Sequence, residues 1–373
     1  MLDKIQHIGC FPFAFSILKA IRAKIEKNIN IKNRIGKSFP EGFKGVLAVG
    51  SAGGGKTATM KAIFKGLELD LDNSQGKKVG KWIPSGISTG VGLFEMFVEN
   101  NDSIIVMDEL DCGSTQHIHI MKQITSGNIS RLKSKSIEPT PFSGILLGAT
   151  NGIPLSKKNL PHLVAMLERF TLVNIKPKNH EEENVFNLNK EEFGCKLTQE
   201  DWQQIANCLT SECAYDLNEE ESAFGKELFL NKKKESLDPN KALYRQANEI
   251  IDIMLFTKRF FNCDNIVNND ILKQVVIDMV EDTVHCNPIK ALQLSSIELG
   301  VYNYIEEHNG AVSFVDLSEH AKVNGYLITE RKLRNMLNKL VEIRVLNKYS
   351  NDIYSTKNVD EVVSTNGILS EVL

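Results

Sequence analysis

The segment GSAGGGKT at residues 50–57 is the feature that most constrains the fold of this chain. It fits the pattern G-x-x-x-x-G-K-[ST] in full, with the apolar run VLAV before it and a helical pattern after it. Glycines let backbone N–H groups turn inward around phosphate oxygens, at the positive end of a helix. We therefore expect a strand–loop–helix unit that binds nucleotide phosphates, in preference to a glycine-rich turn that carries Lys-Thr by chance.

The residue types of this loop also predict its ligands. Lys56 is long enough to reach the β- and γ-phosphates, and the Thr57 hydroxyl completes the coordination of Mg²⁺. ATP and Mg²⁺ are thus the expected cofactors. The predicted nucleotide-binding residues are Gly50, Ser51, Ala52, Gly53, Gly54, Gly55, Lys56 and Thr57.

A second apolar run, IIVM at residues 104–107, ends in the adjacent carboxylates Asp108 and Glu109. A buried strand would deliver Asp108 to the Mg²⁺ shell, with Thr57 as the other protein ligand. Glu109 would orient and deprotonate the attacking water. This pair predicts hydrolysis in addition to binding, although a strand followed by an acidic turn has the same pattern.

Two further polar residues flank apolar runs in the same region. Asn151 follows the run ILLGAT, and an amide there can hydrogen-bond the attacking water or the γ-phosphate; alone, it reads as a turn residue. Arg169 precedes the run FTLVNI; alone, it reads as a surface residue. In a ring of ATPases, an arginine here would act in trans on the neighbour's γ-phosphate.

The composition of the chain excludes several other classes of protein. The 373 residues suggest about two to three domains, and the net charge of −3 excludes a polycation bound to nucleic acid by bulk charge. The seven cysteines form no C-x-x-C pair, so neither a disulfide framework nor a zinc ribbon is expected. No apolar run reaches the ~18–20 residues of a membrane span. We expect a soluble protein of the cytoplasm, without a membrane partner.

The pattern along the chain predicts five parts. Residues 1–43 read as a helical leader, and residues 44–176 alternate strand-like runs with helices, as in a three-layer α/β core. Residues 177–290 read as a charged connecting insertion followed by a helical lid. Residues 291–356 form a third unit, and residues 357–373 a flexible tail.

Taken together, the ordered motifs resemble an AAA+ ATPase. The resemblance assigns Walker A to residues 50–57, Walker B to residues 104–109, sensor 1 to Asn151 and the arginine finger to Arg169. It covers residues 42–176 well and extends weakly into the lid, where Arg245 is a candidate nucleotide-binding sensor 2 arginine. The implied fold class is α/β: a P-loop AAA+ three-layer core with a helical lid.

The segment between Walker B and sensor 1 narrows the resemblance. The stretch MKQITSGNI leads into SRLKSK, and the next strand ends in TNGIP. This resembles the superfamily 3 helicases of viruses and plasmids, with MCM helicases next nearest. Arg131, Lys133 and Lys135 alternate, so in a β-hairpin they project to one face within about 15 Å and can hold DNA phosphates. Without the resemblance, a basic solvated turn explains them better.

The third unit reads as three helices and two short strands joined by Asn351-Asp352. That order resembles a winged helix, whose third helix could enter a major groove. Many winged helices bind protein instead. The candidate DNA-binding residues of that helix are Arg331, Lys332 and Arg334.

Three functional hypotheses follow. The first is a replicative DNA helicase of a virus, phage or plasmid, acting in the host cytoplasm as a homohexamer around single-stranded DNA. A separate primase or initiator is then expected, because only about 43 residues precede the core. The second is a replication initiator or helicase loader that binds DNA through the winged helix. The third, a remodeller of other substrates, would want an aromatic-hydrophobic pore loop, which we do not find.

Overall fold

The computed structural model describes most of the chain. The described residues are 1–6, 8–28, 45–50, 54–67, 80–83, 90–108, 110, 115–129, 140–151, 160–175, 197–210, 216–234, 243–286, 296–308, 311–326, 328–342, 345–349 and 352–356. Of the predicted site residues, Ser51, Ala52, Gly53, Glu109, Arg131, Lys133 and Lys135 lie outside these ranges.

A five-stranded parallel sheet organises the first half of the chain. Its strands are β1 Gly45–Gly50, β2 Gly80–Ile83, β3 Ile104–Met107, β6 Ile145–Thr150 and β7 Phe170–Ile175. Across the sheet they lie in the order β2-β3-β6-β1-β7. The four predicted strands are confirmed. The edge strand β2 was missed because GKWI has neither a long apolar run nor regular alternation.

Helices cover both faces of this sheet. Alternate strand residues point to opposite faces, so Leu47 and Val49 join one apolar core while Val46 and Ala48 join the other. Helices α4 Gly90–Glu99, α5 Thr115–Thr125 and α6 Leu160–Leu167 contribute to the first core. Helices α1 Leu2–Gln6, α2 Phe11–Asn28 and α3 Lys56–Gly66 contribute to the second. Both cores also include residues of helices later in the chain. The described part of the core thus has the expected three layers.

The predicted N-terminal helix lies inside the second core. Helix α2 packs against α3, β1, β6 and β7, and its buried apolar residues are Phe13, Ala14, Phe15, Ile17, Leu18 and Ile21. Two of its long cations, Lys19 and Lys24, are also buried and find partners far along the chain. Lys19 forms an ion pair with Glu249, and Lys24 Nζ lies 2.8 Å from Asp102 Oδ1.

A small antiparallel pair interrupts the chain between β3 and β6. Strands β4 Asn128–Ile129 and β5 Thr140–Pro141 pair in the register Asn128↔Pro141 and Ile129↔Thr140. They enclose the segment that carries the three predicted hairpin cations, which itself lies outside the described residues. The base of a hairpin is therefore present where the sequence predicted one.

Among the described residues between β7 and residue 287, the chain forms helices α7 Gln199–Thr210, α8 Glu219–Lys233, α9 Tyr244–Phe260 and α10 Asp270–Thr283. The Asn218 side chain and Glu221 form a capping box at the start of α8. Glu221 also pairs with Lys258 of α9, with 2.7 Å between Oε2 and Nζ. Helix α10 packs on β7, and α7 packs on α2, so this region extends the second core.

The C-terminal unit contains α11 Ser296–Glu307, β8 Ala311–Ser313, α12 Phe314–Val323, α13 Glu330–Glu342, β9 Asn347–Tyr349 and β10 Ile353–Ser355. Its antiparallel strands stand in the order β8-β10-β9. The three helices and two final strands were predicted, whereas the three-residue β8 was not.

None of the helices within the described ranges is long and apolar enough to cross a membrane.

Candidate nucleotide site and the opposite edge of the sheet

Three strands bring the predicted nucleotide residues to one edge of the sheet. Strands β1, β3 and β6 are parallel neighbours, and Val49 pairs with Thr150. The loop after β1, Asp108 after β3 and Asn151 after β6 therefore meet at the carboxyl edge. This edge is where ligands bind in open α/β sheets.

The loop residues that the structure describes suit a phosphate. Gly55 precedes α3 with φ of +76°, a left-handed conformation that side chains other than glycine rarely adopt. The N-cap residue Gly55 has no side chain to cap the helix, and the first N–H groups of a helix are a favourable site for an anion. The sequence pattern and the backbone thus agree on the same chemistry.

Lys56 is buried at the centre of this edge. Its Nζ donates to the Gly50 carbonyl at 2.8 Å and to Asn151 Oδ1 at 3.0 Å. Burial lowers the pKa of Lys56, and the nearby Asp108 carboxylate partly offsets this shift. The ammonium therefore sits where a phosphate would compensate its lost hydration.

Thr57 and Asp108 form the second contact of the site. Thr57 Oγ1 lies 2.8 Å and 2.9 Å from the two Asp108 carboxylate oxygens, so the hydroxyl donates to the carboxylate. Hydroxyl and carboxylate oxygens are ligands that Mg²⁺ prefers, and Mg²⁺ commonly keeps waters and substrate phosphates as its other ligands. These two residues fit the predicted metal role and would hold the ion beside the phosphates.

Arg169 lies at the opposite edge of the sheet. It directly precedes β7, and Phe170 pairs with Gly45 at the start of β1. The phosphate loop follows the far end of β1, five residues and about 16 Å along the strand. Arg169 therefore lies at the edge of the sheet away from the nucleotide residues of its own chain.

The predicted contact of Arg245 with the nucleotide stays a prediction, and the structure shows where this residue lies in the fold. Arg245 lies in the first turn of α9, and Gln246 and Glu249 of that helix line a small cavity together with Glu168 and Phe170. One turn on, Glu249 Oε1 accepts a hydrogen bond from Thr171 at 2.8 Å. Helix α9 thus begins at the Arg169 edge, a position that sequence spacing alone does not reveal.

The pKa shift of Arg169 agrees with a position of Arg245 near it. Burial lowers the pKa of Arg169, the charge of Arg245 lowers it further, and Glu168 acts in the opposite direction. The guanidinium remains protonated at any ordinary pH. Its charge is nevertheless less favourable here than in water, which favours binding of an anion.

The candidate DNA-binding cations of α13 differ in their surroundings. Arg331 and Lys332 are exposed. Arg334 instead forms an ion pair with Asp352 and lies over the Phe314 ring, 3.9 Å from its centroid. Both partners are distant in the sequence, so the helical pattern of α13 gave no sign that Arg334 is engaged.

Comparison with known families gives a match. Residues 46–173 match the model of the ATPase family associated with various cellular activities (AAA). This part of the chain is similar to an AAA ATPase domain. A comparison with curated proteins finds no match. The match runs from Val46 in β1 to Val173 in β7, and an AAA domain implies ATP hydrolysis, with ATP as the nucleotide and typically Mg²⁺ as the metal.

Proposed function

We propose that this protein is an ATP-driven DNA helicase or translocase that works as a homohexameric ring in replication. The observation that carries the proposal is the antiparallel pair β4–β5, inserted in the AAA domain between the strand before Asp108 and the strand before Asn151. A loop built on that base can extend from the nucleotide-binding core toward DNA.

The predicted cations of that loop supply the DNA contact. Arg131, Lys133 and Lys135 lie between the two short strands, where alternation would present all three to one side. Such a row binds phosphates without reading bases, as a motor that moves along any sequence requires. A ring encloses its DNA, so the near-neutral net charge of the chain does not oppose this mode of binding.

The ring also completes the nucleotide site. Lys56 would hold the β- and γ-phosphates, Thr57 and Asp108 would hold Mg²⁺, and Glu109 would take the proton of the attacking water. Arg169 of the next protomer would stabilise the charge that develops on the phosphoryl group. Its place at the opposite edge of the sheet supports this division between two copies.

We further propose that the C-terminal unit is a winged helix that contacts duplex DNA. Helix, strand, two helices and two strands follow in the order of that fold, with a three-stranded antiparallel sheet. Arg331 and Lys332 at the start of α13 would contact phosphates or bases. Arg334 would hold the turn between β9 and β10 through Asp352.

The test is an unwinding assay on forked DNA with Lys133→Ala and Lys135→Ala. We expect both variants to keep basal ATPase activity and to lose DNA-stimulated ATPase activity and unwinding. Lys226→Ala, at an exposed position of α8, is the matched control and should behave as wild type. Full stimulation and unwinding in both hairpin variants would falsify the translocation proposal.

A second candidate function is that of an initiator or helicase loader, favoured by the exposure of Arg331 and Lys332 on α13. A loader would hydrolyse ATP slowly and need a partner, whereas a helicase would unwind a fork alone. Turnover measured on the isolated protein separates the two.

In either case we propose a viral, phage or plasmid replication system in the host cytoplasm, with a separate primase or initiator.

A further inference from the structure

Two hydrogen bonds join Arg169 to other residues within the described part of the chain. Its Nε donates to Ser126 Oγ at 3.2 Å, and its Nη1 donates to the carbonyl of Ala165 in α6. The Ser126 hydroxyl in turn donates to the Lys122 carbonyl of α5 at 2.8 Å. One serine hydroxyl thus accepts from the guanidinium and donates to the last turn of α5.

Ser126 occupies the joint between α5 and the β4–β5 pair. Gly127 follows with φ of +85°, and β4 begins one residue later. The Phe142 N–H, just after β5, donates to the Gly127 carbonyl at 2.8 Å. The Phe142 ring is buried edge-on against Phe97, with 5.8 Å between centroids. Both ends of the pair are therefore fixed next to Ser126.

The two acceptors of Arg169 are neutral. A hydroxyl and a backbone carbonyl bind a guanidinium more weakly than a phosphate does, because the phosphate carries a negative charge and can accept two parallel N–H bonds. The neighbouring Arg245 adds a like charge, which Glu168 partly offsets. The guanidinium is consequently held in place, but in a setting where an anion from another protomer would bind it more favourably.

We infer that Ser126 is a positioning residue that couples the β4–β5 pair to the nucleotide of the neighbouring protomer through Arg169. A shift of the pair when DNA binds moves Ser126, and with it the position of Arg169 relative to the γ-phosphate. Coupling between two sites is reciprocal, so the neighbour's nucleotide also biases the DNA-binding segment. This inference rests on the proposed function, because it requires both a DNA contact and an arginine that acts in trans.

The test compares Ser126→Ala with Ser126→Thr, which keeps a hydroxyl. Basal ATPase activity, ATPase activity at saturating single-stranded DNA and DNA affinity by fluorescence anisotropy are measured for each. For Ser126→Ala we expect the ratio of stimulated to basal rate to fall several-fold toward one. DNA affinity should stay within about twofold, because Ser126 is not among the predicted DNA-binding residues. The basal rate also depends on the position of Arg169, so it serves as the reference for the ratio. Ser126→Thr should restore the ratio.

Ser143→Ala is the matched control at the other end of the pair. Ser143 Oγ lies 2.6 Å from Asp102 Oδ1 and makes no described contact with Arg169, so this variant should keep the wild-type ratio. The inference is overturned if Ser126→Ala keeps full stimulation, or if Ser143→Ala loses as much. If DNA does not stimulate even the wild-type enzyme, the proposed function fails, and the inference fails with it. If DNA stimulates the wild-type enzyme and Ser126→Ala equally, the inference alone fails.

Discussion

Lys56 and Asn151 are joined across the nucleotide edge by a hydrogen bond of 3.0 Å between Nζ and Oδ1. A γ-phosphate oxygen is a stronger acceptor for an ammonium than an amide oxygen is. Nucleotide binding would therefore draw Lys56 away and leave the Asn151 amide available to the attacking water. The Lys56–Asn151 hydrogen bond would thus hold both side chains in place until a nucleotide binds, and its loss would then free the Asn151 amide.

Lys56→Ala should weaken ATP binding by about 30-fold or more, since truncating a buried charge contact costs about 2 kcal/mol or more. Titration with a fluorescent ATP analogue measures the change. Lys65→Ala, exposed on the same helix, is the control and should bind as wild type. ATPase activity retained in Lys56→Ala would overturn the assignment of the site.

Asp108→Asn should raise the Mg²⁺ concentration needed for half-maximal ATPase activity by about 10-fold or more. The amide can still accept the Thr57 hydrogen bond but brings no negative charge to the metal. Titration of activity with Mg²⁺ checks this, and Asp264→Asn, at an exposed position, is the matched control. An unchanged Mg²⁺ dependence would mean that Asp108 is not a ligand.

Arg169→Ala should lower kcat by about 10³-fold or more, the range found when an arginine finger is removed. Mixing this variant with Lys56→Ala should restore part of the activity. The first variant keeps its own nucleotide residues and the second keeps its Arg169, so one interface in a mixed ring is intact. Two variants that stay inactive after mixing would argue against a site shared between protomers.

Lys19→Met should destabilise the fold by about 3 kcal/mol or more, because Glu249 would stay buried without its cation. The double variant Lys19→Met/Glu249→Leu should recover most of this loss. Urea unfolding measures both. Lys4→Met, which breaks the more exposed pair with Asp201, should cost less than about 1 kcal/mol. Equal losses in Lys4→Met and Lys19→Met would contradict the importance of burial.

The fold should lose stability as the pH falls from about 6.5 toward 4. Burial, with the charge of Lys232, lowers the pKa of His285 to about 4, although hydrogen bonds to the backbone and Glu281 act in the opposite direction. The unfolded chain binds a proton near pH 6.5 and the folded chain does not, so protonation favours unfolding in this window by at most about 3 kcal/mol. His285→Gln should flatten the pH dependence of urea unfolding; an equal slope in wild type and variant would exclude His285 as its source.

Much of the nucleotide site could be predicted because its residues follow local rules. The phosphate loop has fixed spacing, and Asp108 and Asn151 directly follow apolar runs that form neighbouring strands. Parallel pairing then brings both to one edge. These features depend on the residue types within a few positions, which a single sequence displays.

The remaining contacts depend on partners that lie far apart in the sequence. Ser126 and Arg169 are 43 positions apart, and Lys19 and Glu249 are 230 apart. Arg245 could be assigned to a helix from its pattern, but the edge of the sheet at which that helix begins depends on tertiary packing. Strand β2 was missed because GKWI has neither a long apolar run nor regular alternation, and the three residues of β8 pair with β10, which is distant in the sequence.

The burial of helix α2 bears on where this domain can be cut. The AAA match begins at residue 46, whereas α2 ends at Asn28 and fills the sheet face formed in part by Val46 and Ala48. A fragment trimmed to the match would leave that face open to water. The segment that folds as one core is therefore larger than the segment that matches the family model. A fragment made for expression has to include helix α2.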